Sequence, residues 1–243
     1  MENTSTDSSS GLATAPASQT LSRGIRILEI LAEAGLPLPI DDIATGLGVH
    51  RSIAYRLVRT LEDHGLVVRD VAGRVALGPG MAALAAGVFP DLQAVALPVL
   101  RSAADDLGVS CFLTVFSRDE CITLVSVEPR NSAVALAQRP GTRHPVTRGA
   151  PGRAILSQIP EAEWPADVPQ HVRNDIRELD ALGYATSHDE VIPTVASVAV
   201  PLALRGRQPA ALAVVYVGTS HSADTIAARL TRSVAAIRQA IGG

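Results

Sequence analysis

Between residues 21 and 80, proline and glycine cut the chain into pieces too short to fold alone, and their order leaves few arrangements open. Ile27, Leu28, Leu31 and Ala34 recur at helical spacing over residues 21–34. Leu36-Pro37-Leu38-Pro39 breaks that segment, because proline removes a backbone donor and crowds the preceding turn. A short second helix is predicted over 40–46, with Ile40, Ile43, Ala44 and Leu47 apolar. Gly46-Leu47-Gly48 supplies a tight turn, and a third helix runs over 50–64 until Gly65 stops it. Two β-rich runs, 66–69 and 74–77, flank Asp70-Val71-Ala72-Gly73 and read as a hairpin, with Gly78-Pro79-Gly80 ending the unit. Three helices and a hairpin in about 60 residues predict a winged helix-turn-helix.

The remaining chain alternates differently. A linker helix is expected at 81–87, interrupted by Pro90, and a longer helix at 91–107. Strands are predicted at 110–117, 120–127, 131–137, 195–204 and 209–217, the last two hairpinned through 205–208. Helices are predicted at 151–158, 170–182 and 222–241. Hairpinned strands mixed with helices predict an antiparallel α+β domain. The organisation expected is a disordered tail at 1–19, a winged helix at 20–80, a linker helix at 81–90 and a second domain at 91–243.

Charge is placed rather than general. The net charge is −3, and all 21 positive residues are arginine. On the third helix Ile53, Ala54, Leu57, Val58 and Leu61 share one face, while Ser52, Tyr55, Arg56 and Arg59 share the other. No acidic residue occurs between Ile43 and Leu61, whereas Arg51, Arg56 and Arg59 do. A helix buried on one side and arginine-rich on the other suits a DNA major groove, where arginine grips guanine edges or phosphates. Arg74 on the wing is placed to reach a flanking phosphate. The candidate DNA-binding residues are therefore Arg51, Ser52, Tyr55, Arg56, Arg59 and Arg74. Double-stranded DNA is the expected partner, met by a homodimer or homotetramer, since one reading helix covers only a few base pairs.

Other classes find no support in the sequence. Cys111 and Cys121 lie in apolar runs without a CxxC, and the six histidines share no metal-ligand spacing. No GxSxG, phosphate loop or HExxH is present, so neither catalysis nor a metal or other cofactor is expected. The first 19 residues have no apolar core of a signal peptide, and the uncharged stretch 81–90 falls far short of the roughly 18 residues a membrane helix needs. A cytoplasmic protein is expected. The alternative to a DNA reader is a winged-helix module for protein contacts that takes no ligand.

Longer stretches resemble one family. Ser22-Arg23-Gly24-Ile25-Arg26-Ile27-Leu28-Glu29-Ile30-Leu31, Leu47-Gly48-Val49 and Tyr55-Arg56-Leu57-Val58-Arg59-Thr60-Leu61-Glu62-Asp63-His64-Gly65-Leu66-Val67 look like the DNA-binding domain of the IclR family. The wing end Gly73-Arg74-Val75-Ala76-Leu77-Gly78 is similar to that family's too. Downstream, Arg148-Gly149-Ala150-Pro151-Gly152-Arg153-Ala154-Ile155-Leu156, Gly183-Tyr184-Ala185, Asp189-Glu190 and Val198-Ala199-Val200-Pro201-Leu202 resemble its second domain. The resemblance implies a GAF-like, antiparallel-sheet domain that binds a small organic effector and so modulates operator binding.

Carried over by position, the effector pocket would involve Gly149, Ala150, Ser187, Ser197, Ala213 and Val215. The helix start at Gly149-Ala150-Pro151 independently suggests outward N–H groups that attract a carboxylate or carbonyl. Ala213 and Val215 are apolar where family members often carry serine, which points to an aromatic or otherwise less polar effector. Thr194 stands where family members commonly have glycine.

Overall fold

The computed structural model describes residues 18–130, 136 and 138–242. The chain divides into two compact units, Met1–Val88 and Phe89–Gly243.

In the first unit, α1 (Gln19–Ala34), α2 (Ile40–Leu47) and α3 (Arg51–Asp63) precede a hairpin of β1 (Val67–Arg69) and β2 (Val75–Leu77), and α4 (Pro79–Ala86) follows. The helical periodicity read from the sequence is the packing: Ile27 and Leu31 of α1, Ile43 of α2, and Ala54 and Val58 of α3 are buried with Val67 and Val75 of the wing. Leu38, in the segment that breaks the first helix, pairs with Val75 through two backbone hydrogen bonds of 2.9 and 2.7 Å. The breaker therefore also anchors the wing to the helices.

Gly78-Pro79-Gly80 closes the wing and leads straight into α4. Pro79 opens α4, where its missing donor costs nothing. A Cβ at Gly78 or Gly80 would lie 2.4 or 2.6 Å from the Gly65 carbonyl oxygen, so both glycines are needed for close approach. α4 buries none of its residues, and Leu84 is 64% exposed.

The second unit runs α5 (Pro90–Leu107), β3 (Ser110–Ser117), β4 (Glu120–Val127), β5 (Arg143–Pro145), α6 (Gly149–Leu156), a 3-10 turn (Glu161–Glu163), α7 (Gln170–Leu182), β6 (Ala185–His188), β7 (Ala196–Leu202), β8 (Ala210–Tyr216) and α8 (Ala223–Ile241). Six strands form one antiparallel sheet in the order β5-β4-β3-β8-β7-β6. Apart from Leu136, the strand expected at 131–137 lies outside the described residues.

Both faces of the sheet are covered, which is why its central strands read as continuous apolar runs. Cys111, Leu113, Val198, Val200, Leu212 and Val214 face α5 and α8, meeting Leu100, Leu107, Ile226, Leu230 and Ile237. The alternate residues Phe112, Ala199, Ala211, Ala213 and Val215 face α6 and α7. The second face is built of smaller side chains, and α6 lies correspondingly close: all eight of its residues are buried.

Candidate functional site

The first site is the exposed face of α3. Ser52, Tyr55, Arg56 and Arg59 are all exposed there, with Tyr55 at 47%. His50 caps the helix: its Nδ1 accepts from the Ser52 N–H at 3.3 Å and lies 2.9 Å from Ser52 Oγ. These contacts fix Ser52 in place at the helix start. Arg51 forms an ion pair with Asp41 of α2, and Arg74 one with Asp70 within the wing turn at 2.8 Å. Both remain more than half exposed, so each pair is a weak tether. By contrast, the side chains of Arg56 and Arg59 have no ion-pair partner among the described residues.

One participant escaped the sequence reading. The Arg69 guanidinium of β1 lies 5.1 Å from the centre of the Tyr55 ring, and its Nε donates to Glu62 at 3.1 Å. The wing thereby holds Tyr55 against one side, a cation–π contact that restrains the ring at the reading surface. The thirteen residues between the two carry no local signal of this pairing.

The second site is a cavity of about 30 Å³ between the small-residue face of the sheet and the start of α6. Gly149, Ser187, Ser197 and Val215 line it, as expected; Ala150 and Ala213 are fully buried behind its wall rather than in it. Phe112, Gln138, His144, Pro151, Val191, Ile192 and Val195 complete the lining and were not anticipated. Register explains the grouping: Ser187, Ser197, Val215 and Ser110 form one row across β6, β7, β8 and β3. Ser197 donates to the Val214 carbonyl at 2.8 Å, while the buried hydroxyls of Ser110 and Thr114 have no partner. Burial pushes the His144 imidazole below its usual range, and its Nδ1 lies 3.0 Å from the Pro145 carbonyl.

The helix start differs from expectation. The N–H groups of Gly149 and Ala150 are not vacant: Gly149 donates to Glu190 Oε2 at 2.8 Å and Ala150 to Ser187 Oγ at 2.9 Å. Arg153, only 2% exposed, clasps the same Glu190 carboxylate through two bonds of 2.8 Å and reaches Asp175 at 2.8 Å with its third donor. Burial alone would push the Glu190 carboxyl up, but the Arg153 fork, the Gly149 N–H and the Arg153 charge outweigh it and hold it below the usual carboxylate range. The loop carrying Val191 and Ile192 over the cavity holds Asp189 and Thr194 at φ of 61° and 65°. This left-handed backbone is where glycine is at ease and threonine is not, which accounts for the glycine expected at 194.

A winged helix with an arginine face, joined to a domain with a small-molecule cavity, defines a ligand-responsive regulator of transcription. The sequence matches the IclR helix-turn-helix domain over residues 20–71 and the bacterial transcriptional regulator IclR C-terminal domain over residues 88–241. The chain belongs to the IclR family, and the protein-contact alternative is not favoured.

Relatives agree. The probable transcriptional regulator SauR of Cupriavidus necator is 29% identical over 144 residues, 58% of this chain and 57% of that one. The HTH-type transcriptional regulator TtgV of Pseudomonas putida is 26% identical over 240 residues, 92% of each chain. An IclR transcriptional regulator from Alicyclobacillus acidocaldarius superposes with a TM-score of 0.81 at 26% identity, over 93% of this chain and 99% of that one. An IclR homologue from Microbacterium hydrocarbonoxydans, solved in complex with 4-hydroxybenzoate, shares the fold with a TM-score of 0.79 at 22% identity, over 92% and 99%.

Among the described residues no single helix is long and apolar enough to cross a membrane.

Proposed function

We propose that α3 reads the operator, with Arg56 and Arg59 as its principal contacts and Ser52, Tyr55, Arg51 and Arg74 beside them. The observation that carries this reading is the contrast among arginines of one domain. Arg26, Arg51, Arg69 and Arg74 are ion-paired within the chain, whereas Arg56 and Arg59 stand exposed on the reading face without such a partner among the described residues. Residues 20–80 form the DNA-reading domain and 91–243 the sensing domain, whose cavity under α6 takes a small effector that modulates operator binding. The Microbacterium homologue of this fold holds an aromatic ligand, 4-hydroxybenzoate; the cavity of about 30 Å³ here has to widen to admit a ring. The protein acts in the cytoplasm, without catalysis, as a homodimer or homotetramer joined through α4, whose apolar residues are unburied within the chain.

A gel shift at fixed salt on the DNA flanking the gene tests the reading. Arg56→Ala and Arg59→Ala each weaken specific binding by about 1–3 kcal/mol if they touch bases. A phosphate contact instead weakens specific and non-specific binding together and lowers the salt slope by about one. Parental affinity in both variants would exclude α3 as the reading helix.

A further inference from the structure

We propose that the effector of the sensing domain is uncharged: a largely apolar molecule with one or two neutral hydrogen-bonding groups and no carboxylate or phosphate. This rests on the cavity beneath α6 being the effector site. The start of a helix is the usual attraction for an anion, but here the chain's own carboxylate occupies it. Glu190 accepts from Gly149, and Ser187 accepts from Ala150, so no donor at the helix start is left for a ligand anion.

The nearest buried cation is equally engaged. All three donor nitrogens of Arg153 are committed, two to Glu190 and one to Asp175, and two carboxylates face a single guanidinium. Arg148, at the cap of the same helix, donates to the Glu190 carbonyl, so the charges behind the helix start cancel and leave no surplus cation for an incoming anion. The cavity walls hold no arginine, and their polar groups, among them Gln138, Ser187 and Ser197, are neutral.

What the site does offer is hydroxyl chemistry. Ser187 and Ser197 put two hydroxyls in the lining, and Gln138 an amide. A ligand's hydroxyl, carbonyl or amide can pair with these neutral groups without the cost of burying a charge. Beside these groups, Phe112, Val191, Ile192 and Val195 supply the apolar contact for a ring.

The test is titration calorimetry on the full chain at pH 7.5 with matched pairs that differ only in charge: 4-hydroxybenzoate and 4-hydroxybenzamide, salicylate and salicylamide, phenylacetate and phenylacetamide. The amide is expected to bind at least about tenfold more tightly than its acid, and Glu190→Gln to narrow that ratio. Val215→Trp, which fills the cavity, should abolish binding of the amide. Acids that bind the parent as tightly as their amides, or more so, overturn the proposal while leaving the cavity as the effector site. Amide binding that survives Val215→Trp, or no binding by any member of the three pairs, overturns instead the reading of the cavity on which the proposal rests. The comparison within the parent protein stands even if Glu190→Gln fails to fold.

Discussion

Replacing Gly152 by alanine tests how closely α6 lies on its surroundings. A Cβ at this position falls 2.0 Å from the Val146 carbonyl oxygen and 2.9 Å from its carbon, so the two backbones have to part by about 1 Å. Neither side yields easily. The Val146 N–H is tied to the Asp119 carbonyl at 2.8 Å, and every residue of α6 is buried. Moving the helix away opens its contacts with Ala199, Ala211 and Ala213. Overpacking of this kind typically costs about 1–3 kcal/mol, and with backbone on both sides the upper end applies. At roughly 2–4 °C per kcal/mol for a domain of this size, the melting temperature of the sensing domain should fall by about 6–12 °C. The effector site should go with it, since Gly149 and Pro151 of the same helix line the cavity. Gly24→Ala is the control: it sits inside α1 with no atom within 4 Å of its Cβ, and should stabilise the first unit by up to about 1 kcal/mol. Scanning calorimetry of both variants reads the two effects. A Gly152→Ala protein that melts within about 2 °C of its parent would refute the reasoning.

Thr194→Gly should stabilise the sensing domain by about 1 kcal/mol in chemical denaturation, because it relieves a left-handed β-branched residue; a loss of stability would show that the threonine side chain contributes more than its backbone costs. Glu190 is held below its ordinary value of 4.5, so the stability it contributes is fully present above that pH and is lost as pH falls through the lowered folded value. The melting temperature of the parent should therefore fall more steeply than that of Glu190→Gln on titration from pH 5 downward, and parallel curves would remove Glu190 from the account. Light scattering at micromolar concentration should give a dimer or tetramer, and Leu84→Glu on α4 should shift it toward monomer; a monomeric parent would sink the oligomer.

The helices, the hairpin and the central strands were legible because burial there follows a single period. Ile27, Leu31, Ala54 and Val58 announce their faces, and β3, β7 and β8, covered on both sides, appear as unbroken apolar runs. The edge strands β5 and β6 were missed for the opposite reason. Arg143–Pro145 and Ala185–His188 are three and four residues long, mostly polar, and take their conformation from the neighbour they pair with. The candidate site was legible to a similar depth. Ser187, Ser197 and Val215 were found through resemblance, but the capping of Gly149 by Glu190 joins residues 41 apart, and the stacking of Arg69 on Tyr55 depends on how the wing folds back. Nothing in local composition reports either contact.

The sheet of the sensing domain also bears on how such a chain changes its ligand over generations. Neighbours along β7 and β8 belong to opposite layers: Ser197, Ala199, Ala213 and Val215 turn toward the cavity side, while Val198, Val200, Leu212 and Val214 hold α5 and α8. Of the first set only Ser197 and Val215 line the cavity, so substitution there can rewrite which molecule is sensed, while Ala199 and Ala213 keep α6 seated. Specificity is thereby confined to the positions of one layer that reach the cavity, and drift at those leaves the packing of α5, α6 and α8 in place.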